Sequence, residues 1–376
     1  MSSNISAEGE LLEYFKWPNI AMRLLGYFPF QTKNGQLRPL KSYCDWSIAV
    51  TGIFISFIIA HDIIFAMFYS TFMELALLRR ETDKFIIFVF DILVSITMSS
   101  FRAYLPFYAT KFHEQWKLHC ETVQNICNCK QFSSEENNWV IVEGMGGSNR
   151  RRVFGIVSLV VVNILAMLTA GWIASYGLNG FEVYNPKGEE KLTFVVYVLI
   201  SGWSLLRILH AIATVWLACF IQLYAALFTR IGDELESLKK QLEEDCSPLE
   251  ISKASIPLPG FINGRLEHCI KAFYWSEELV SNFTCFFGKA IVLDTLTSIL
   301  GLLSMIYFHI FWFMEGSYLL NLSSFTIVLI YAYKIYVLST ESMQMTIMGK
   351  QISKRLMALC WHRERFDPQT INRVSW

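Results

Sequence analysis

The sequence predicts an all-α integral membrane protein with six transmembrane helices and a cytosolic N-terminus. Three observations predict it. Of 376 residues, 53% are apolar and only 17% charged, whereas a soluble chain carries about a quarter charged residues. Six stretches reach the roughly 20 mostly apolar residues that a bilayer span needs. The segments joining them alternate between rich and poor in Lys and Arg.

The six stretches lie at about 46–69, 85–108, 153–176, 192–228, 285–308 and 317–338. The fourth is longer than one bilayer. Residues 1–45 form a cytosolic segment, 46–338 the bundle and 339–376 a cytosolic tail. Residues 1–16 are polar and acidic and the first apolar run starts late, so the first span is expected to act as a signal anchor.

Orientation follows the positive-inside rule. The segments assigned to the cytosol carry five, six, six and six Lys or Arg, and the others three, two and none. All nine cysteines fall on or near the cytosolic side or deep in the fourth span, as Cys219 does, so no external disulfide is expected. The totals of 32 basic and 32 acidic residues give no field favouring nucleic acid.

Beyond the fourth span, Ile231, Leu235, Leu238 and Leu242 recur at helical spacing among charged residues. This predicts an amphipathic helix carrying the fourth span into the cytosol. Pro257, Pro259, Gly260 and Gly264 break it, and Leu266, Ile270, Phe273 and Leu279 begin a second helix that leads into the fifth span. Together they make a cytosolic helical anchor at about 229–284, packed either within the chain or against neighbouring subunits. Leu235, Leu238 and Leu242 are its candidate assembly residues.

Charges inside spans are costly and mark pathways or buried pairs. From the helical rise, Arg207 lies about 22 Å below the outer edge and Asp294 about 17 Å below it. The two are expected to pair, with His210 one turn on. Either a permeation element or a structural ion pair fits that arrangement. Arg102, Lys289 and Lys334 lie near inner span ends, where long side chains snorkel to water. Toward the outside, Phe88, Asp91, Trp172, Tyr176, Tyr197, Trp203, Tyr307 and Tyr318 are candidates to line a pocket for a small organic ligand. Part of this aromatic set belongs to the interfacial belt.

Nothing points to catalysis. His-Glu-x-x-His and Gly-x-Ser-x-Gly are absent, and Gly144, Gly146 and Gly147 lack the Lys-Ser/Thr pair of a phosphate loop. Neither a metal nor a cofactor is expected. Cys127-Asn-Cys129 reads as free thiols.

Arg23-Leu-Leu-Gly-Tyr-Phe-Pro29, the stretch 205–238 and Leu266-Glu-His-Cys-Ile270 with the run after it resemble the arthropod odorant/gustatory chemoreceptor superfamily. The similarity spreads over about 15–350. Ser339-Thr-Glu-Ser342 and the helical run after it look slightly more gustatory. The resemblance implies a plasma-membrane, ligand-gated cation channel. It implies a homo- or heterotetramer of related subunits around a central pore, with the ligand in an outer pocket among helices two to six. It also implies a subunit anchor at the cytosolic helix ends and a pore-lining seventh helix. Here no seventh apolar run follows Leu338 and the family's C-terminal Tyr and Gln-Phe signature is absent, so no pore residue is carried over. The alternatives are an N-out G-protein-coupled receptor and a six-span transporter or non-conducting scaffold.

Overall fold

The computed structural model describes residues 7–33, 36–67, 81–127, 143–176, 190–244, 260–314 and 318–360. Among them are nine helices and one hairpin. In chain order these are α1 (Ala7–Tyr14), α2 (Lys16–Leu24), β1 (Phe30–Lys33), β2 (Gln36–Pro39), α3 (Lys41–Met67), α4 (Glu81–Phe107), α5 (Ala109–Cys127), α6 (Glu143–Tyr176), α7 (Glu190–Glu244), α8 (Gly260–Met314) and α9 (Tyr318–Cys360). Each of the six predicted apolar stretches lies largely within one of the long helices α3, α4, α6, α7, α8 and α9. Two helices, α7 and α8, contain stretches long and apolar enough to cross a membrane.

Helix α7 is the axis of the bundle. It packs against α2, α6, α8 and α9, and its apolar stretch is 89% buried, against 22% for that of α8. At 55 residues it spans about 80 Å, far more than an apolar layer, so its two halves meet different surroundings. The amphipathic extension predicted after the fourth span is the C-terminal part of this one unbroken helix.

Helix α8 shows how the exterior is built. Val292, Leu296, Ile299, Leu303 and Ile306 are exposed. The opposite face buries Asp294, Thr297 and Ser298, and the polar side is therefore inside. The same inversion runs through α3, α4, α6 and α9. Ile53, Ile96, Val161, Leu165 and Leu329 face out, while Ser47, Thr51, Ser95, Thr97, Asn163, Ser324 and Thr326 are buried. At Gly301 a side chain would meet the Tyr331 ring, 2.7 Å from the position of its Cβ, which lets α8 and α9 approach closely.

The N-terminal segment is built into one end of this bundle, although sequence reading treated it only as a cytosolic segment. Leu11, Tyr14, Phe15, Met22, Tyr27, Phe28 and Phe30 are buried. Phe15 lies 4.5 Å from Phe220 and Phe28 lies 5.9 Å from Trp216, centroid to centroid. Asn19 accepts a 2.8 Å bond from the Trp216 indole. The hairpin pairs Phe30 with Pro39 and Lys33 with Gln36, and the Glu8 carboxylate on α1 accepts from the Leu37 amide at 2.8 Å.

Helix α5 lies between the second and third predicted apolar stretches. Pro106 near the end of α4 lacks an amide donor and helps end that helix. The chain then restarts at Ala109, and Phe112, Trp116, His119, Val123 and Ile126 turn inward. That helical spacing was visible in the sequence, but its polar neighbours hid it among connecting residues.

Candidate functional site

The site is assembled by a turn. Helix α2 ends at Leu24, and Gly26 follows with φ of +74°. The Tyr27 amide donates to the Met22 carbonyl at 2.8 Å and the Gly26 amide to Arg23 at 3.0 Å. This double bond pattern is the Schellman cap, which needs a left-handed residue and so favours glycine. A Cβ on Gly26 would also sit 2.8 Å from Val50 of α3. The turn leaves the Leu25 carbonyl free to accept and sends Tyr27 into the bundle.

Both groups are taken up there. Arg102 of α4 donates to the Leu25 carbonyl at 2.6 Å. Its guanidinium stacks 4.3 Å from the Tyr27 ring and 4.1 Å from the Phe54 ring of α3. The Tyr27 hydroxyl lies 3.0 Å from His210 Nδ1, and His210 Nε2 lies 3.0 Å from Asp294 Oδ1. One neutral tautomer satisfies both contacts: Nε2–H donates to the carboxylate and Nδ1 accepts from the tyrosine. Thr214 donates to Asp294 Oδ2 at 3.1 Å and Lys334 donates to Oδ1 at 2.7 Å. Six elements thus meet in one chain of contacts: the N-terminal turn, α3, α4, α7, α8 and α9.

Two sequence expectations are corrected here. Asp294 was expected to pair with Arg207, and its partners are instead Lys334, His210 and Thr214. Arg207 is buried as well, with contacts of its own. Position along a helix does not fix its rotation, and rotation decides which faces meet. Lys334 and Arg102 were expected to snorkel. Both are 3% exposed and hold internal partners, because a buried carboxylate and two stacked rings compensate a cation that lipid would not. Lys289 is exposed.

Leu235, Leu238 and Leu242 are essentially fully buried within the single chain, in one core with Leu266, Ile270, Ile352 and Leu356. Arg265 of α8 binds Glu234 and Gln241, and Arg355 of α9 binds the Gly232 carbonyl. Their faces are therefore taken by α8 and α9 and are not free for a subunit contact. Of the outer pocket candidates, Tyr307 is 46% exposed on the same face as Leu303 and Ile306. The side chains of Phe88, Asp91, Trp172, Tyr176, Tyr197, Trp203 and Tyr318 lie outside the described residues.

A second polar cluster joins α1, α6, α7 and α9. Glu341 Oε1 accepts from Arg152 at 2.7 Å and from Gln222 at 2.6 Å. Tyr14 donates to the Cys219 carbonyl at 3.0 Å. Glu341 also borders a groove of about 490 Å³ with Gln222, Thr229, Arg230, Asp233 and Gln344. Within the N-terminal core, His119 Nε2 lies 2.5 Å from the Tyr224 hydroxyl and Nδ1 lies 2.6 Å from the Gln115 carbonyl. Burial pushes the His119 imidazole down to about 4, so it is neutral at pH 7. Burial raises the Cys120 thiol well above its usual range, which leaves it unreactive.

No group of three or more His, Cys, Asp or Glu among the described residues is placed to hold a metal. Asp294 has both oxygens engaged by donors, an arrangement suited to holding helices in register. The chain matches no model of a known protein family, and no curated protein matches it.

Proposed function

We propose that this chain is a multi-pass plasma-membrane chemoreceptor subunit of the arthropod odorant/gustatory type, binding a small organic ligand and contributing to a ligand-gated cation channel. The observation that carries the membrane part is the inverted polarity of the bundle. Apolar side chains face out on five helices while Asp294, Lys334, Arg102 and Arg207 are buried. Large apolar side chains exposed on five helices around buried charges suit lipid better than water as the solvent. The length of α7 supports a bundle that continues into a cytosolic layer made of the N-terminal segment, α5 and the extensions of α7, α8 and α9.

In this reading α3, α4, α6, α7, α8 and α9 each cross once and the N-terminus is cytosolic. The outer half, with Phe88, Asp91, Trp172, Tyr176, Tyr197 and Trp203, takes the ligand. The Asp294 cluster lies beneath it and links α4, α7, α8 and α9, so a ligand that shifts α4 or α7 alters the contacts of Arg102 and His210. The channel assembles as a tetramer with copies of itself or related subunits.

The test is an epitope tag at the N-terminus and another near residue 185. The expected result is that the second is stained on intact cells and the first only after permeabilisation. An N-terminal tag reached on intact cells overturns the orientation and the chemoreceptor reading together. Calcium entry evoked by small organic tastants in cells displaying the chain then tests the channel activity.

A further inference from the structure

The turn of α6 that carries Arg150 and Arg151 and the short helix α2 form a cationic patch beside the apolar exterior. The Arg150 guanidinium lies 5.2 Å from the Trp17 ring centroid and 5.5 Å from that of Phe154. The two rings are themselves 5.6 Å apart. A planar cation is held over aromatic faces by their quadrupoles, so Arg150 is positioned without a carboxylate. Its neighbour Arg151 is exposed, and no carboxylate pairs with either among the described residues. Arg152, one step further round the helix, turns inward to Glu341.

Apolar surface begins where the arginines end. One turn after Arg150, α6 exposes Phe154 and Val157, then Val161 and Leu165. Helix α2 packs on α6 and α7 with Pro18 and Met22 buried, and it exposes Ile20 and, at 72%, Leu24. Fixed cations therefore stand at the edge of an apolar band.

We propose that this patch binds the phosphate of an anionic phospholipid in the inner leaflet. Arg150 and Arg151 take the phosphate oxygens, and Phe154, Ile20 and Leu24 meet the acyl chains. The arginine fork suits phosphate geometry. A free phosphate would leave the adjoining apolar side chains in water, which favours lipid as the source. The proposal rests on the membrane reading above.

The experiment uses the full chain. Extraction of cell membranes with alkaline carbonate comes first, and release of the chain into the soluble fraction overturns the membrane reading and this inference with it. With the chain retained, it is purified in neutral detergent and its binding of dioctanoyl phosphatidylserine is compared with that of dioctanoyl phosphatidylcholine. The serine lipid is expected to bind more tightly. Arg150→Gln and Arg151→Gln are each expected to weaken it about fivefold. Arg150→Lys keeps the charge but not the stacked plane, and falls between Arg150→Gln and the wild type. Glycerophosphoserine, the headgroup without acyl chains, is expected to bind far more weakly, and equal binding would assign the patch to a soluble phosphate instead. Unchanged serine-lipid affinity in a monodisperse double Gln variant overturns the site while leaving the membrane reading intact.

Discussion

The ammonium of Lys334 and the carboxylate of Asp294 lie 2.7 Å apart, each on a residue 3% exposed, and they join α9 to α8. Breaking a buried pair by removing one partner costs about 3–5 kcal/mol, since the other charge is stranded. Asp294→Asn and Lys334→Gln should therefore each lower the melting temperature in detergent and the amount of chain at the cell surface. The double variant should recover part of the loss, because two amides can still bond. A double variant no better than the worse single variant would contradict the pairing.

Gly26 sets up the turn from which Tyr27 and the Leu25 carbonyl reach this cluster. Gly26→Ala should cost about 1–2 kcal/mol from its left-handed dihedral alone, and more from the clash with Val50. In a Val50→Gly background, which removes the Cβ and the methyl that each lie 2.8 Å away, the clash is relieved and only the dihedral cost remains. Melting curves of the four chains separate the two contributions. If Gly26→Ala is harmless in both backgrounds, the turn does not have the geometry described.

The neutrality of His119 makes a prediction about pH. Its folded value, about 4, lies below the ordinary histidine value of about 6.5, so between these limits the unfolded chain binds a proton that the folded chain does not. Stability from this group is thus fully present above about pH 6.5 and falls as the pH drops toward 4, by on the order of 3 kcal/mol. His113 and His268 are shifted in the same direction by burial, so the share of His119 is read by difference. His119→Gln, whose amide oxygen still accepts from Tyr224, should flatten the slope of melting temperature against pH over that window. An unchanged slope would remove His119 from the account.

Leu235 is packed inside one chain against α8 and α9. Leu235→Ala should cost about 2–5 kcal/mol as a cavity and leave the assembly size on a native gel unaltered. The opposite outcome, an unchanged melting temperature with a smaller assembly, would return this residue to a subunit interface.

Much of the architecture was legible in the sequence. Apolar run length located the six long helices, since an apolar helix must be continuous to satisfy its own backbone. The leucine spacing from Ile231 to Leu242 showed the extension of α7, because burial on one side imposes a period of 3.6 residues. That His210 stands near Asp294 was legible from its place on the helix, one turn beyond Arg207.

Tertiary structure decided the rest. The rotation of each helix is set by packing against its neighbours, and a single apolar run carries little phase, so the sequence could not distinguish Lys334 from Arg207 as the partner of Asp294. The N-terminal segment reads from sequence only as a cytosolic segment, because charged and polar residues interrupt its apolar ones before any run reaches the length of a span. Phe15, Tyr27 and Phe28 become core only when α5 and α7 supply the opposite wall. Burial of Lys334 and Arg102 likewise depends on partners that come from distant parts of the chain, Asp294 for one and Leu25, Tyr27 and Phe54 for the other. Position in the sequence set which helix carries each charge, and the packed faces determined what neutralises it.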